Sequence, residues 1–478
     1  MSQIKLTLAT EEELDSLIEG TLRVMEEVGC DVYQDDALAL LKEAGCEVDG
    51  NRVRIPRELV LKSIASAPNV VNVYDRNGNL AMELGDRNFY FGPGPTCPNF
   101  NDPRTGERRP ARKQDAADTA LVADALPNMD FVMSLCMIAD ETESLADVHE
   151  VDAMLRNTTK PLCTWSFDVD NVQGIIDMLA AVRGGYDELA EKPLAIVYCE
   201  PTTPLVHTKE PVEILMRCAK YGVPVVYTPG MIVGATAPAT LPAAMTVGCA
   251  ETLTGVVISQ LVNPGAPMIC AGTAGFMNMK SMNHTYGCAE FSLHNGISCE
   301  VMHRLGLPAW NAAGVTDSKA IDGQAAIEAV FQVFMSIGAG GNLIHDVGFS
   351  DLGMTGSIEH MVICDDIIRM AKRIFKGMDF SDPEEAFAFD VIKEVGPGGN
   401  FLLEDHTMDH YGEFCYPELI DSDNFDKWKG NGAMTITDRA IAKMRKLLET
   451  HVPEPVDEQL AAKLDAIVEA AEARVASM

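Results

Sequence analysis

At 478 residues the chain exceeds the roughly 250 of one β/α barrel, so two or three structural units around a large core are expected. Hydrophobic residues make up 47 % and charged residues 23 %, with no long low-complexity tract, which excludes an intrinsically disordered chain. The formal charge of −34 speaks against nucleic acid as a partner, because phosphate recognition needs clustered Lys and Arg.

The opening stretch MSQIKLTLATEEELDSLIEG has neither the basic flank nor the unbroken apolar run of a signal peptide. No later window supplies about 20 uncharged apolar residues, so a cytoplasmic chain without membrane contact is expected. The 13 cysteines form an odd set and lie singly in apolar runs such as PLCTWSF and IVYCEP, with no CxxC. They read as reduced core thiols.

In chain order, Leu14, Leu17, Ile18, Leu22, Met25 and Val28 recur at helical spacing before Gly29, and a second helix stops similarly at Gly45. CEVDGNRVRIP reads as a small hairpin around Asp49-Gly50, and Pro56 opens a third helix. Residues 1–85 are therefore expected to form an N-terminal helical cap with a hairpin. From residue 86 short apolar runs alternate with longer helical segments, as strands buried on both faces do. Strands are expected at 88–92, 131–137, 161–167, 193–201, 224–230, 267–275, 308–315 and 342–349. Eight such units, several with Gly closing the helix, predict an α/β fold, a TIM (β/α)8 barrel over 86–380. Residues 381–478 are expected to be an α-rich C-terminal extension ending in the helix VDEQLAAKLDAIVEAAEARVAS.

Active sites of such barrels lie at the carboxyl ends of the strands. That filter selects Phe91, Trp165, Phe167, Tyr198, Glu200, Tyr227, Phe276, Asn311, Asp317 and His345. Trp165, Tyr198 and Tyr227 end three successive strands, as a cage for a quaternary ammonium requires, although ordinary barrel packing places rings there too. Glu200 follows an apolar strand and either balances a cation or caps its loop. His345 either orients a ligand or is a hydrogen-bonded core histidine. Asp317 and Asp322 flank a loop entering a helix that one of them is expected to cap.

GAGGN at 338–342 follows a helix and precedes a strand, the reverse of a dinucleotide-binding loop. The ten histidines contain no HxH or HExxH pair. Asp147 and His149 approach the D-x-H-x-x-G pattern of cobalamin binding, but Asp152 replaces its glycine. No metal ligand set and no tightly bound corrinoid are expected.

Several separated blocks carry a resemblance: FGPGPTCPNFNDPRTGERRPARKQDAADTALVADALPNMDFVMS, GATAPATL, GVTDSKAIDGQAAIE, GGNLIHDVG and GPGGNFLLEDHT, with VRIPRELV near the start and WKGNG near the end. In this order they resemble the trimethylamine methyltransferase family of corrinoid-dependent enzymes. The resemblance implies a barrel that passes a methyl group from an amine to the reduced cobalt of a separate small corrinoid-binding protein, so the cobalamin is supplied in trans. Founding members carry pyrrolysine, whereas this sequence uses standard residues throughout, which implies the branch acting on quaternary amines such as glycine betaine, proline betaine, carnitine or γ-butyrobetaine.

On that reading Trp165, Tyr227, Phe276 and Trp310 line the ammonium pocket together with Phe91 and Tyr198, and Glu200 balances charge. His345 and Asn311 contact the carboxylate or position the methyl group, and Asp317 is a further catalytic candidate. A homo-oligomer is the expectation for a barrel with such extensions. A corrinoid-independent lyase or aldolase needs a reactive strand-end lysine or a divalent metal, neither of which is evident. A non-enzymatic betaine sensor remains the third alternative.

Overall fold

The computed structural model describes residues 4–477, and its amino-terminal part follows the spacing of the apolar residues. Helix Glu11–Arg23 starts at a reciprocal cap between Thr10 and Glu13 and continues through a wider turn, Val24–Val28, to Gly29 at φ +74°. Helices Asp35–Glu43 and Arg57–Ser66 and the hairpin Glu47–Asp49/Arg52–Arg54 form as expected. The hairpin sheet also takes in Cys30–Val32, which pairs in parallel with Val206–His207 far along the chain. The first units are thereby sewn to the region after strand Ala195–Cys199.

Beyond them the fold is mixed α/β. Strands Leu162–Trp165, Ala195–Cys199, Val225–Tyr227 and Met268–Cys270 form one parallel sheet, in that order across it. Trp310–Ala312, Leu343–Val347 and Tyr90–Pro93 form a second, also parallel. An isolated bridge from Cys270 to Ala309 joins one edge of the first sheet to the second, and a bridge from Val132 to Leu162 extends the other edge. The amides of Asp130 and Phe131 donate to the Phe91 carbonyl. The run expected as a strand at 131–137 forms only that one bridge, because Leu135 turns to φ +62° and leaves the extended region.

Side chains alternate between two cores, as strands buried on both faces require. Phe131, Cys163, Ile196, Val226, Ile269 and Leu343 enter one enclosed cluster, joined by Tyr90 and by Tyr198 and Trp310. Their neighbours, among them Phe91, Val197, Tyr227 and Ile344, pack in the larger cluster with the surrounding helices. The hairpin Val71–Tyr74/Leu80–Leu84 adds Val71, Val73, Met82 and Leu84 to the inner cluster. It sits at the amino ends of the strands, where Tyr74 N donates to the Pro193 carbonyl and Arg76 N to that of Thr159.

Helix Leu241–Val262 is long and apolar enough to cross a membrane by length and composition, yet 72 % of its apolar window is buried inside the fold and Glu251 lies within it. It is a core helix. All 13 cysteines are free, and eleven of them are buried. After Ile358–Lys376 come three short helices, Pro383–Phe387, Phe389–Val395 and Asp405–His410, none with a buried residue. The last helices pack back on the body, Ile436–Thr450 against Ile358–Lys376 and Glu458–Ala476 against Val169–Arg183.

Candidate active site

Two adjoining cavities, about 390 and 200 Å³, open at the carboxyl ends of the parallel strands. They share Tyr198, Glu200, Tyr286, His345 and Asp346. The larger is also walled by Trp165, Ser166 and Phe167, the smaller by His284, Asn295 and Trp310. Strand alternation puts Tyr198 two residues beyond Ile196 and His345 two beyond Leu343, so each follows an inner-cluster residue toward the open end. The imidazole of His345 stacks on Trp310 with centroids 3.9 Å apart and planes at 26°. Tyr198 completes the wall, 5.5 Å from Trp310 and 6.0 Å from His345.

Asp346 reaches the same cavity although it is adjacent to His345. Its φ of +71° and the shifted register between Ile344 and Val347 break the alternation, so two consecutive side chains face one way. Gly94 makes this possible, since a Cβ there would lie 2.4 Å from Asp346 Oδ1. His345 Nδ1 lies 2.6 Å from Asp346 Oδ1 but not in hydrogen-bonding alignment, and among the described residues neither atom has a hydrogen-bond partner.

The Tyr198 hydroxyl donates to Glu200 Oε1. Glu200 is exposed within the open cavity, and desolvation by the protein packed around it pushes its carboxyl above the usual range. The Tyr198 hydrogen bond and His345 act in the opposite direction. Burial likewise holds the Tyr198 phenol far above its ordinary value, so it remains a neutral donor. Gly230 leaves the space for Glu200 Oε2, 3.0 Å from where a Cβ would sit. Trp165 is fixed from behind, its Nε1 donating at 2.9 Å to Glu150 Oε2. Glu150 also accepts from Ile138 N at 3.0 Å, and burial pushes its carboxyl up to about 8.

Of the residues selected from sequence, Trp165, Tyr198, Glu200, Trp310 and His345 come together, with Phe167 beside Trp165. Phe91 and Tyr227 lie on the outer side of their strands, where the Tyr227 hydroxyl meets His207 Nδ1 at 2.8 Å. Asn311 is also turned away, buried with its Oδ1 accepting from Ala312 N at 2.8 Å. Phe276 packs edge-on against His294 in a neighbouring apolar cluster. Asp317 lines neither cavity. Its carboxylate accepts from the Thr285 hydroxyl and from the amides of Tyr286 and Gly287, at 2.9 and 3.0 Å, and so holds the segment that carries Tyr286. Asp322 is the helix cap, accepting from Gln324 N and Ala325 N.

Sequence reasoning passed over Asp346, Glu150, Tyr286, His284 and Asn295. Adjacency to His345 was the available signal for Asp346, whereas Glu150 and Asn295 reach the site from helices, His284 from the short strand Asn283–Thr285 and Tyr286 from the bend after it. Asp147 and His149 are engaged in hydrogen bonds within the fold. Asp147 accepts from Ser166 Oγ, Phe167 N and Asn171 Nδ2, and His149 Nε2 pairs with Glu472 at 2.7 Å.

The profile of the trimethylamine methyltransferase (MTTB) family matches residues 2–476. The chain belongs to the trimethylamine methyltransferase family. It is 34 % identical over 468 residues to trimethylamine methyltransferase MttB of Desulfitobacterium hafniense strain DCB-2, spanning 97 % of this chain and 93 % of the relative. It is 30 % identical to the glycine betaine methyltransferase of strain Y51 of that species, over 97 % of both chains. Trimethylamine methyltransferase MttB of Methanosarcina barkeri strain Fusaro is 30 % identical over 99 % of this chain and 96 % of its own. The crystal structure of the Methanosarcina barkeri monomethylamine methyltransferase superposes with a TM-score of 0.50 at 11 % identity, covering 93 % of this chain and 88 % of that one, a likeness of fold.

This methyltransferase has neither Lys nor Arg in the lining of either cavity. Aromatic faces meet the carboxylates of Glu200 and Asp346 in both cavities and of Glu210 in the larger, a lining whose chemistry suits a cation.

Proposed function

We propose that the chain moves a methyl group from a quaternary amine to the cobalt(I) of a separate small corrinoid-binding protein. The observation that carries this reading is the cavity wall itself: Trp310, Tyr198 and Trp165 beside Glu200 and Asp346, with neither Lys nor Arg in the lining. Its family membership supports methyl transfer, and relatives named for trimethylamine and for glycine betaine support an amine donor.

A quaternary ammonium spreads its charge over its methyl groups, which suits ring faces at roughly 0.5–2 kcal/mol each. Glu200 and Asp346 offset the remaining charge, and the Tyr198 hydroxyl orients Glu200. The Trp310 stack holds the His345 ring at the cavity wall, where it aligns the substrate. When the methyl group leaves by in-line displacement the amine departs neutral, so no residue has to deliver a proton. The cobalt of the partner supplies the nucleophile. Asp147 and His149 are engaged elsewhere, which supports a corrinoid brought in trans rather than held by this chain.

The same reading takes the parallel pairings as one eight-stranded (β/α)8 barrel. They run from Tyr90–Pro93 through 131–133 and the first sheet to Trp310–Ala312 and Leu343–Val347, which pairs again with Tyr90–Pro93. A cytoplasmic location is supported by the free, mostly buried cysteines, and a homo-oligomer belongs to the same reading.

The test offers glycine betaine, proline betaine, carnitine, γ-butyrobetaine, tetramethylammonium and trimethylamine in turn, with a purified cobalt(I) corrinoid protein followed by its visible spectrum. Methylation with one quaternary amine is expected. Silence with all of them, using a partner shown to be competent, overturns the proposal. The set includes a carboxylate-free cation because a substrate carboxylate would meet only uncharged hydroxyl, amide and backbone donors and imidazole in this lining, with neither Lys nor Arg.

A further inference from the structure

We propose that Glu385, His406 and His410 form a zinc site, remote from the active site, that orders the carboxyl-terminal extension. Each side chain offers one ligand atom, and these atoms lie within 4.8 Å of one another. His406 and His410 stand four residues apart on one helical turn, their rings 4.4 Å apart, while Glu385 arrives from the neighbouring short helix. Ligands of a tetrahedral zinc sit about 3.3 Å from one another, given bond lengths of roughly 2.0–2.1 Å. Small rotations of these partly exposed side chains close the difference.

The surroundings of His410 are those of a metal-bound imidazole. Its Nε2 faces Glu385 Oε1 at 2.7 Å, and its Nδ1 faces Glu413 Oε1 at 2.8 Å. A ligating histidine commonly gives its second N–H to a carboxylate, which fixes its tautomer and strengthens it as a donor. Glu413 occupies that position. On binding, zinc takes the place of the proton between His410 and Glu385, and the proton leaves to solvent. Three protein ligands leave the fourth position to water.

The segment 376–418 also has no core of its own. No residue from 376 to 418 is buried, and the three helices have five, seven and six residues, well below the roughly 12 at which an isolated helix becomes stable. Segments without a core of their own are held by disulfides, metals or association. All cysteines here are free, which leaves the two histidines and the glutamate as the available clasp.

The full-length chain, stripped with a chelator and desalted, is titrated calorimetrically with zinc chloride and digested by a protease with and without the metal. One zinc per chain is expected, with protection of the 378–418 segment that the chelator reverses. The double variant His406→Ala/His410→Ala is expected to lose both effects while keeping the thermal transition of the body. Glu413→Gln, which keeps all three ligands, is expected to bind zinc 10- to 100-fold more weakly. Failure to bind zinc stoichiometrically, or undiminished binding by the double variant, overturns the proposal. So does equal protection without metal.

Discussion

Asp346 shows how much one backbone angle decides at the site. A left-handed φ costs an L residue roughly 1–2 kcal/mol and a glycine almost nothing. Asp346→Gly is therefore expected to keep or raise the denaturant midpoint, whereas Asp346→Ala lowers stability by about 1–2 kcal/mol relative to that glycine variant. Both remove a cavity carboxylate and are expected to raise the KM for a cationic amine about tenfold, read in the methyl-transfer assay. Tyr198→Phe removes the hydrogen bond that lowers the Glu200 pKa, leaving a carboxyl already raised by burial to rise further. The acidic limb of the kcat/KM profile is then expected to move to higher pH, because Glu200 carries its charge only above its pKa. An unchanged profile removes Glu200 from the assignment. Tyr198 and Tyr227 look alike in sequence, each near the end of an apolar strand. Only register separates them, and strands buried on both faces carry no pattern from which register can be read. Asp346 was passed over for a related reason, since strand alternation turns the neighbour of His345 away from the cavity and the register shift there cancels that alternation.

Among the elements, helix Ala146–Asn157 acts on the site through Glu150. Its carboxyl, raised from 4.5 to about 8, is neutral at pH 7. A group raised on folding gives stability that is complete below its unfolded value and is lost as pH rises through the folded one. The stabilisation is thus expected to fade between about 4.5 and 8. Trp165 emission is expected to titrate with a midpoint near 8, and Glu150→Gln is expected to abolish that transition. Persistence of the transition in the variant assigns it to another group. Helices and most strands were legible from apolar spacing and glycine stops. The 131–137 run was not, because its composition is that of a strand while Leu135 takes a left-handed turn that nothing in its side chain announces.

For the whole molecule, the hairpin Val71–Leu84 is the feature least visible in sequence, where it merges with the amino-terminal cap. Its apolar residues alternate like those of any half-buried hairpin, and apart from nearby Tyr90 what they bury against lies far along the chain, from Phe131 to Leu343. Met82→Ala is expected to destabilise the chain by about 2–5 kcal/mol, measured by denaturant unfolding, as for a fully enclosed core residue. A cost below about 1 kcal/mol would make the hairpin a peripheral ornament.

That same hairpin closes the strand ends opposite the cavity, and the side chains between them are fully enclosed. The site is a cup with one mouth. On the proposed reaction, amine and corrinoid protein must therefore use the same entrance, so the small molecule has to load before the large one seats and can leave only after it departs. Steady-state rates should show an obligatory order, and a large excess of corrinoid protein over amine should slow turnover by stoppering empty enzyme.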